Sequence, residues 1–405
     1  MNAVVTGLGV VSPTGIGVAD HWANTLSGTS GIDVITRFDA ATYPATLAGE
    51  VRSFNARDHV SGRMIVATDR WTQMALAATE EALRDAGAFP IEDSGLDEYE
   101  MAVVTASSSA GNEFGQGELG ALWSKHPQYV TAYQSIAWFY AATTGQISIK
   151  YGMRGSCGVI ASEQAGGLDA IAQARRVLRG RARLVVSGGT EAPLSPYAVV
   201  CQQSNGMLSH SADPATAYLP FDAGANGYVP GEGGAILIVE DEDSAQARGV
   251  SAIYGRVAGY AATFDPRPGS GREPTLRRAA ELAIAEAGLS TTDIDVVFAD
   301  AFGVPELDRI EAEAISTLFG PRGVPVTAPK TLTGRLYAGG AALDLVTALL
   351  SIREGVIPPT FGVTARPELE LDLVVNTPRE TTVRTALVLA RGYGGFNSAV
   401  VLTAA

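Results

Sequence analysis

Cysteine is nearly missing from this chain, which has two, Cys157 and Cys201, in 405 residues. Two thiols build no disulfide framework, and the four histidines are too scattered to suggest a structural metal. Histidine is absent beyond His210, so the C-terminal half has no imidazole for acid–base work near neutral pH. Basic side chains are also scarce: 29 stand against 43 carboxylates, a net charge of −14. That balance argues against a nucleic-acid groove or an anionic membrane surface as the main partner. No run approaches the roughly 20 apolar residues that span a bilayer. The opening "MNAVVTGLGVVSPTG" reads as a strand and has no basic and apolar regions of a signal peptide. These absences lead us to expect a cytoplasmic protein without metal or cofactor.

What the chain does have is apolar mass. Hydrophobic residues make up 46% and charged residues 18%, the composition of a well-buried globular protein. Short β-branched runs alternate with longer helical segments, the pattern of α/β layering. Strands are expected at 3–6, 101–105, 184–187, 234–239, 253–262, 296–299, 386–390 and 399–403. Helices are expected at 71–86, 167–179, 275–287, 307–319 and 341–354. "AVVTGLGVVSPTG" and "AIYGRVAGYAATFDP" each read as a glycine-bearing strand leading into a loop. They suggest two similar halves, 1–245 and 246–405.

Two glycine motifs carry less than they promise. "GLGVVS" has Ser12 where a dinucleotide fingerprint needs its third glycine, and Pro13 follows it. "GEGGA" at 231–235 lacks the lysine of a phosphate-binding loop. Both read as glycine-eased turns. Cys157 reads as a buried filler in a loop before a strand, and Cys201 likewise as a filler. The arginines at 175, 176, 179, 181 and 183 read as a solvated helix end, with contact to an acidic partner as the alternative.

The stretch "SEQAGGLDAIAQARR" asks the sharper question. Its small residues Ala165, Gly166 and Gly167 feed a helix carrying Leu168, Ile171 and Leu178 at helical spacing. A buried helix start of this kind activates a cysteine nucleophile. Here the seat holds Gln164, whose amide is expected to exchange hydrogen bonds with nearby backbone groups.

Four further stretches follow a common order. "VVTGLGVVSP", "AYLPFDAGANGYVPGEGGAILIVED", "VPVTAPKTLTGRLYAGGAALDLV" and "ARGYGGFNSAVVL" resemble the β-ketoacyl synthases of the thiolase-like superfamily, over essentially the whole chain. That resemblance implies a five-layered α-β-α-β-α fold of two similar halves. It also implies a nucleophilic cysteine where Gln164 stands, and histidines where Phe302 and Arg335 stand. Lys330, Asp308 and Glu311 match the supporting ion pair beside such a site. Phe302 offers no donor for a developing enolate, and Arg335 offers charge without an imidazole's proton exchange. No catalytic side chain is intact.

Glutamine in the cysteine position with both histidines lost resembles the chain length factors, the ketosynthase β-subunits of type II aromatic polyketide synthases. The resemblance implies a heterodimer with a catalytic ketosynthase α-subunit and contact with an acyl carrier protein. The aromatic-rich stretch 109–152 would then build the dimer interface and a polyketide tunnel. A helix is expected at about 113–123, with Asn112, Gly115 and Leu119 on one face at the gatekeeping positions. Their modest size implies a wide tunnel and a long product, a decaketide or beyond. Alternatives are a malonyl-carrier-protein decarboxylase or chain-initiation factor using Gln164, an atypical condensing enzyme, and a stand-alone acyl-binding module.

Overall fold

The computed structural model describes residues 2–267 and 269–405. Its strands are β1 (Ala3–Ser12), β2 (Met101–Ala106), β3 (Cys157–Ile160), β4 (Leu184–Glu191), β5 (Gly233–Asp241), β6 (Gly255–Phe264), β7 (Val296–Phe298), β8 (Pro325–Thr327), β9 (Asp372–Leu373), β10 (Thr385–Gly392) and β11 (Phe396–Thr403). They run in the order 9-8-7-10-11-6-1-5-4-2-3, with Gly15–Ile16 paired beside β1. The order repeats itself. In the first half β1, β5 and β4 are antiparallel neighbours, and β2 and β3 continue parallel to β4. In the second half β6, β11 and β10 are antiparallel, and β7 and β8 continue parallel to β10. The two halves meet where β1 pairs with β6.

The principal helices are α1 (Val18–Ser27), α2 (Arg70–Asp85), α3 (Asn112–Ser124), α4 (Ala142–Tyr151), α5 (Gly166–Val177), α6 (Pro196–Gln203), α7 (Leu276–Glu286), α8 (Pro305–Phe319) and α9 (Ala338–Glu354). The sheet halves face each other across α5 and α9, in one core that takes Leu168 and Ile171 from α5 and Val346 and Leu350 from α9. Every residue of α9 from Ala338 to Ser351 is buried. A helix apolar on all sides belongs in such a middle layer. The outer layers have their own cores, one under α2 and one under α7 and α8. The chain is a five-layered α-β-α-β-α thiolase-like fold.

Gly9 explains why "GLGVVS" is not a turn. It lies inside β1, where a Cβ would come within 1.9 Å of the Ala78 carbonyl of α2. The glycine therefore lets an outer helix sit directly on the strand. "GEGGA" is likewise extended, and its last three residues open β5. Cys157 opens β3 rather than preceding it, and both cysteines are exposed, not buried. β3 is the outermost strand and has no second neighbour to cover its first residue.

A buried histidine ties α1 to the middle layer. His21 Nδ1 lies 2.7 Å from Thr14 Oγ1, and Nε2 lies 3.1 Å from Thr347 Oγ1 of α9. Burial lowers its pKa from 6.5 to about 4. Between these values the unfolded imidazole takes up a proton that the native one refuses. The stabilising effect is therefore complete above about pH 6.5, and about 3 kcal/mol is lost as pH falls to about 4. We expect His21→Asn to flatten this part of the stability-against-pH curve in denaturant titrations; an unaltered slope would refute the assignment.

Candidate functional site

The seat forms where β-strand ends meet the start of α5. Glu163 sits at φ +52 in a short 3-10 turn over Glu163–Ala165, a conformation that sharply redirects the chain. This elbow drives the Gln164 side chain inward, where the residue is fully buried. Neither amide atom has a protein hydrogen-bond partner, contrary to the local bonding expected for it. The reason is its neighbour. The amide lies against Gly340 in the first turn of α9, where a Cβ would fall 3.0 Å from both Nε2 and Oε1. A helix-wall glycine leaves space for the amide but offers it no matched pair of groups.

That contact can be tested directly. Gly340→Ala is expected to destabilise the chain by about 1–3 kcal/mol, because the amide must shift. Gln164→Ala in the same chain should relieve most of it. A denaturant double-mutant cycle without coupling would place the two side chains apart.

Arg335 is delivered by an extended segment. Its N–H donates to the Val229 carbonyl at 2.8 Å, and Pro230 and Arg335 form a parallel bridge. The guanidinium is 1% exposed. Nη1 donates to Asp300 at 3.1 and 3.2 Å, Nη2 donates to the Arg391 carbonyl, and Nε lies 3.6 Å from Glu163. Its carbon stands 3.9 Å from the centre of the Phe302 ring, a stacked cation–π contact. Phe302 also meets Tyr228 edge-on at 5.6 Å. Burial works against charge on Arg335, yet Asp300 and Glu163 hold its pKa above the ordinary value. Burial likewise opposes charge on Asp300, but Arg335, Arg391 and Lys330 hold it ionised, with its pKa below the usual range.

Lys330, Asp308 and Glu311 do not form one ion pair. Lys330 Nζ binds Asp344 of α9 at 2.6 Å. Glu311 binds Arg391 at 3.0 Å and accepts the N–H groups of Asp300 and Ala301. Asp308 accepts the N–H groups of Phe221 and Gly303, and burial pushes its pKa up to about 7. The two α8 carboxylates thus brace backbone, while the lysine pairs with a helix that sequence distance had hidden. Sequence reasoning missed Glu163, Asp300, Asp344 and Arg391. A signal was present for two of them: a buried arginine needs carboxylates, and Glu163 and Asp300 flank Gln164 and Phe302 in the chain.

Beside the seat lies a cavity of about 460 Å³. Asn112, Tyr140, Cys201, Gln202, Phe302 and Tyr337 are among its lining residues. Of the three tunnel candidates, Asn112 reaches it. A Cβ on Gly115 would face Trp138 at 3.7 Å, and Leu119 is 52% exposed on the surface. Around Leu119 the chain exposes Trp123 (82%), Tyr129 (54%), Trp138 (45%) and Phe139 (51%). Exposed aromatic side chains are enriched at interaction surfaces. No cluster of His, Cys, Asp and Glu among the described residues has the geometry to hold a metal ion. No helix of the described residues is long and apolar enough to cross a membrane.

Known proteins match the chain end to end. The family description "Beta-ketoacyl synthase, N-terminal domain" fits residues 2–245, and "Beta-ketoacyl synthase, C-terminal domain" fits residues 254–364. The tetracenomycin polyketide synthase ketoacyl synthase beta subunit of Streptomyces glaucescens is 58% identical over 98% of this chain and 97% of its own. The ishigamide ketosynthase/chain length factor overlays with a TM-score of 0.88 at 26% identity, covering 100% of this chain and 99% of that one. A type II acyl-carrier protein in complex with its ketosynthase, bound to the hexaketide, gives the same TM-score and coverage at 28% identity.

Proposed function

The chain belongs to the β-ketoacyl synthase family, among the ketosynthase β-subunits of type II polyketide synthases, and from that membership we propose how its seat and surface divide the work. The chain is a non-condensing chain length factor. It pairs as a heterodimer with a catalytic ketosynthase α-subunit in the cytoplasm, and α3 walls the tunnel into which a long polyketide grows. Asn112, Gly115 and Leu119 form the face that meets the growing chain. An acyl carrier protein delivers malonyl units to the pair.

The observation that carries this reading is the Phe302–Arg335 stack, 3.9 Å from guanidinium carbon to ring centre, in the two histidine positions. Condensation needs neutral donors aimed at a developing enolate oxygen. Here the aromatic ring donates nothing, and the guanidinium is committed to Asp300 and a backbone carbonyl. The exposed aromatics around Leu119 support the partner surface.

The experiment supplies malonyl-carrier protein to the purified chain, alone and with its ketosynthase partner. The expected result is polyketide from the pair and none from the chain alone. Condensation by the isolated chain overturns the reading.

One observation favours a second, accessory role. A fully buried amide without a protein partner is free to polarise a thioester carbonyl, which would make Gln164 a decarboxylation or initiation residue. In that case Gln164→Ala in the pair delays the start of product formation and leaves later extension unchanged.

A further inference from the structure

The helix assigned to the tunnel wall is weakly anchored by ordinary means. No residue of α3 is buried, and its N-cap, Gly111, makes no side-chain bond to the first turn. Gly115, Gly117 and Gly120 lower its intrinsic helicity. The first-turn N–H groups still need acceptors.

One acceptor comes from another helix. Asp69 is the N-cap of α2, where its Oδ1 accepts the Trp71 N–H at 3.3 Å. Its Oδ2 accepts the Phe114 N–H of α3 at 2.8 Å. A single carboxylate, 3% exposed, thus caps two helix N-termini. The remaining charges nearby form a separate chain. Glu113 of α3 pairs with Arg37, whose Nε stands 3.9 Å from buried Glu232, and Arg70 holds Glu232 at 2.8 Å. Asp69 itself has no cationic partner among the described residues.

We propose that Asp69 is a positioning residue for chain length: by capping α3 from outside, it fixes the first turn that presents Asn112 and Gly115 to the growing chain. Phe114 lies between those two residues, so its bonded N–H sets the axial position of the face. The inference rests on the reading of α3 as tunnel wall.

The same carboxylate makes the wall sensitive to pH. Burial, and after it the charge of Glu113, pushes the Asp69 pKa up to about 7, against the Phe114 and Trp71 N–H groups and Arg37. The groups facing it are Glu113 from α3 and Arg37, with Arg70 and Glu232 one step further away. Two positive helix ends favour the anion. The cap is therefore strongest above neutrality and weakens as pH falls through about 7.

The test uses the assembled pair with acyl carrier protein and malonyl donor, and reads both product-length distribution and malonate consumed. Wild type is compared with Asp69→Ala, Asp69→Asn and Gly115→Phe. Asp69→Ala is expected to lower the ratio of principal to neighbouring chain lengths by about fivefold, the scale of a lost helix cap. Malonate consumption should change less than about twofold, because the cap touches no reacting atom. Wild type should show the same broadening as pH drops from about 8 to about 6, while Asp69→Asn, with no charge to lose, responds to pH no further.

A folded Asp69→Ala pair with the wild-type distribution overturns the proposal. So does a wild-type pH response in Asp69→Asn, and that comparison decides alone where Asp69→Ala fails to assemble. Gly115→Phe separates the two levels of the argument. If it shortens the product while Asp69 variants do not, only the positioning role falls. If none of the variants changes the product, the tunnel reading itself fails.

Discussion

Arg335→Ala should lower the stability of the chain by about 3–5 kcal/mol, the largest loss expected from any single change at the seat. The reason is what stays behind. Asp300 is fully buried and held ionised by Arg335 first among its cationic neighbours. Removing the guanidinium leaves that charge and Glu163 facing a void under the Phe302 ring. Arg391 already pairs with Asp300 through Nε at 3.4 Å while its Nη2 serves Glu311, so it offsets only part of the lost charge. Arg335→Lys should recover only part of the loss, because an ammonium cannot reach Asp300 and the Arg391 carbonyl together or stack on the ring. Denaturant or thermal unfolding of the three proteins gives the order. Arg335→Ala with unchanged stability would mean that the pair adds nothing net. Arg335→His is expected to leave the chain inactive in condensation, since Phe302 and Gln164 still supply neither donor nor nucleophile.

The second large effect is functional. In the reconstituted pair, Gly115→Phe is expected to shift the principal product to a shorter chain, changing the long-to-short ratio by about tenfold or more. The site accepts a side chain without breaking the fold. The nearest atom to a new Cβ is the Trp138 Cβ at 3.7 Å, an ordinary contact, and Gly115 has no positive φ to preserve. Replacing an interior helix glycine also removes a helix-propensity cost of up to about 1 kcal/mol. The bulk of a phenyl ring then falls on the face shared with Asn112, which lines the cavity beside the seat. Product length by mass spectrometry decides the matter, and an unchanged distribution removes α3 from the tunnel.

How far each level of the molecule could be read in advance follows from the range of the interactions behind it. The helices of the middle layer and the central strands on either side of it were legible because burial on both sides writes itself into consecutive apolar residues, as in α9. Strands β8 and β9 of the main sheet were not: they are short and lie at one of its ends. The Asn112–Gly115–Leu119 face could be inferred from helical spacing alone, although spacing could not say that only Asn112 lines the cavity. Gln164, Phe302 and Arg335 were singled out by their places in the sequence motifs, yet their geometry was hidden. No spacing rule brings Arg335 onto Phe302, since the two approach from different loops.

By itself, then, the sequence determined the α/β layering, the lack of any histidine beyond His210 and the helix that follows Gly111. Each depends on local periodicity or on the simple presence of a residue type. Only the tertiary structure decided that Lys330 pairs with Asp344, that the Gln164 amide is left without a protein partner, and that Asp69 caps a helix 45 residues further along the chain. Buried charges and amides must take whatever partners the packed layers bring within reach, and that reach is set by the fold rather than by distance along the chain.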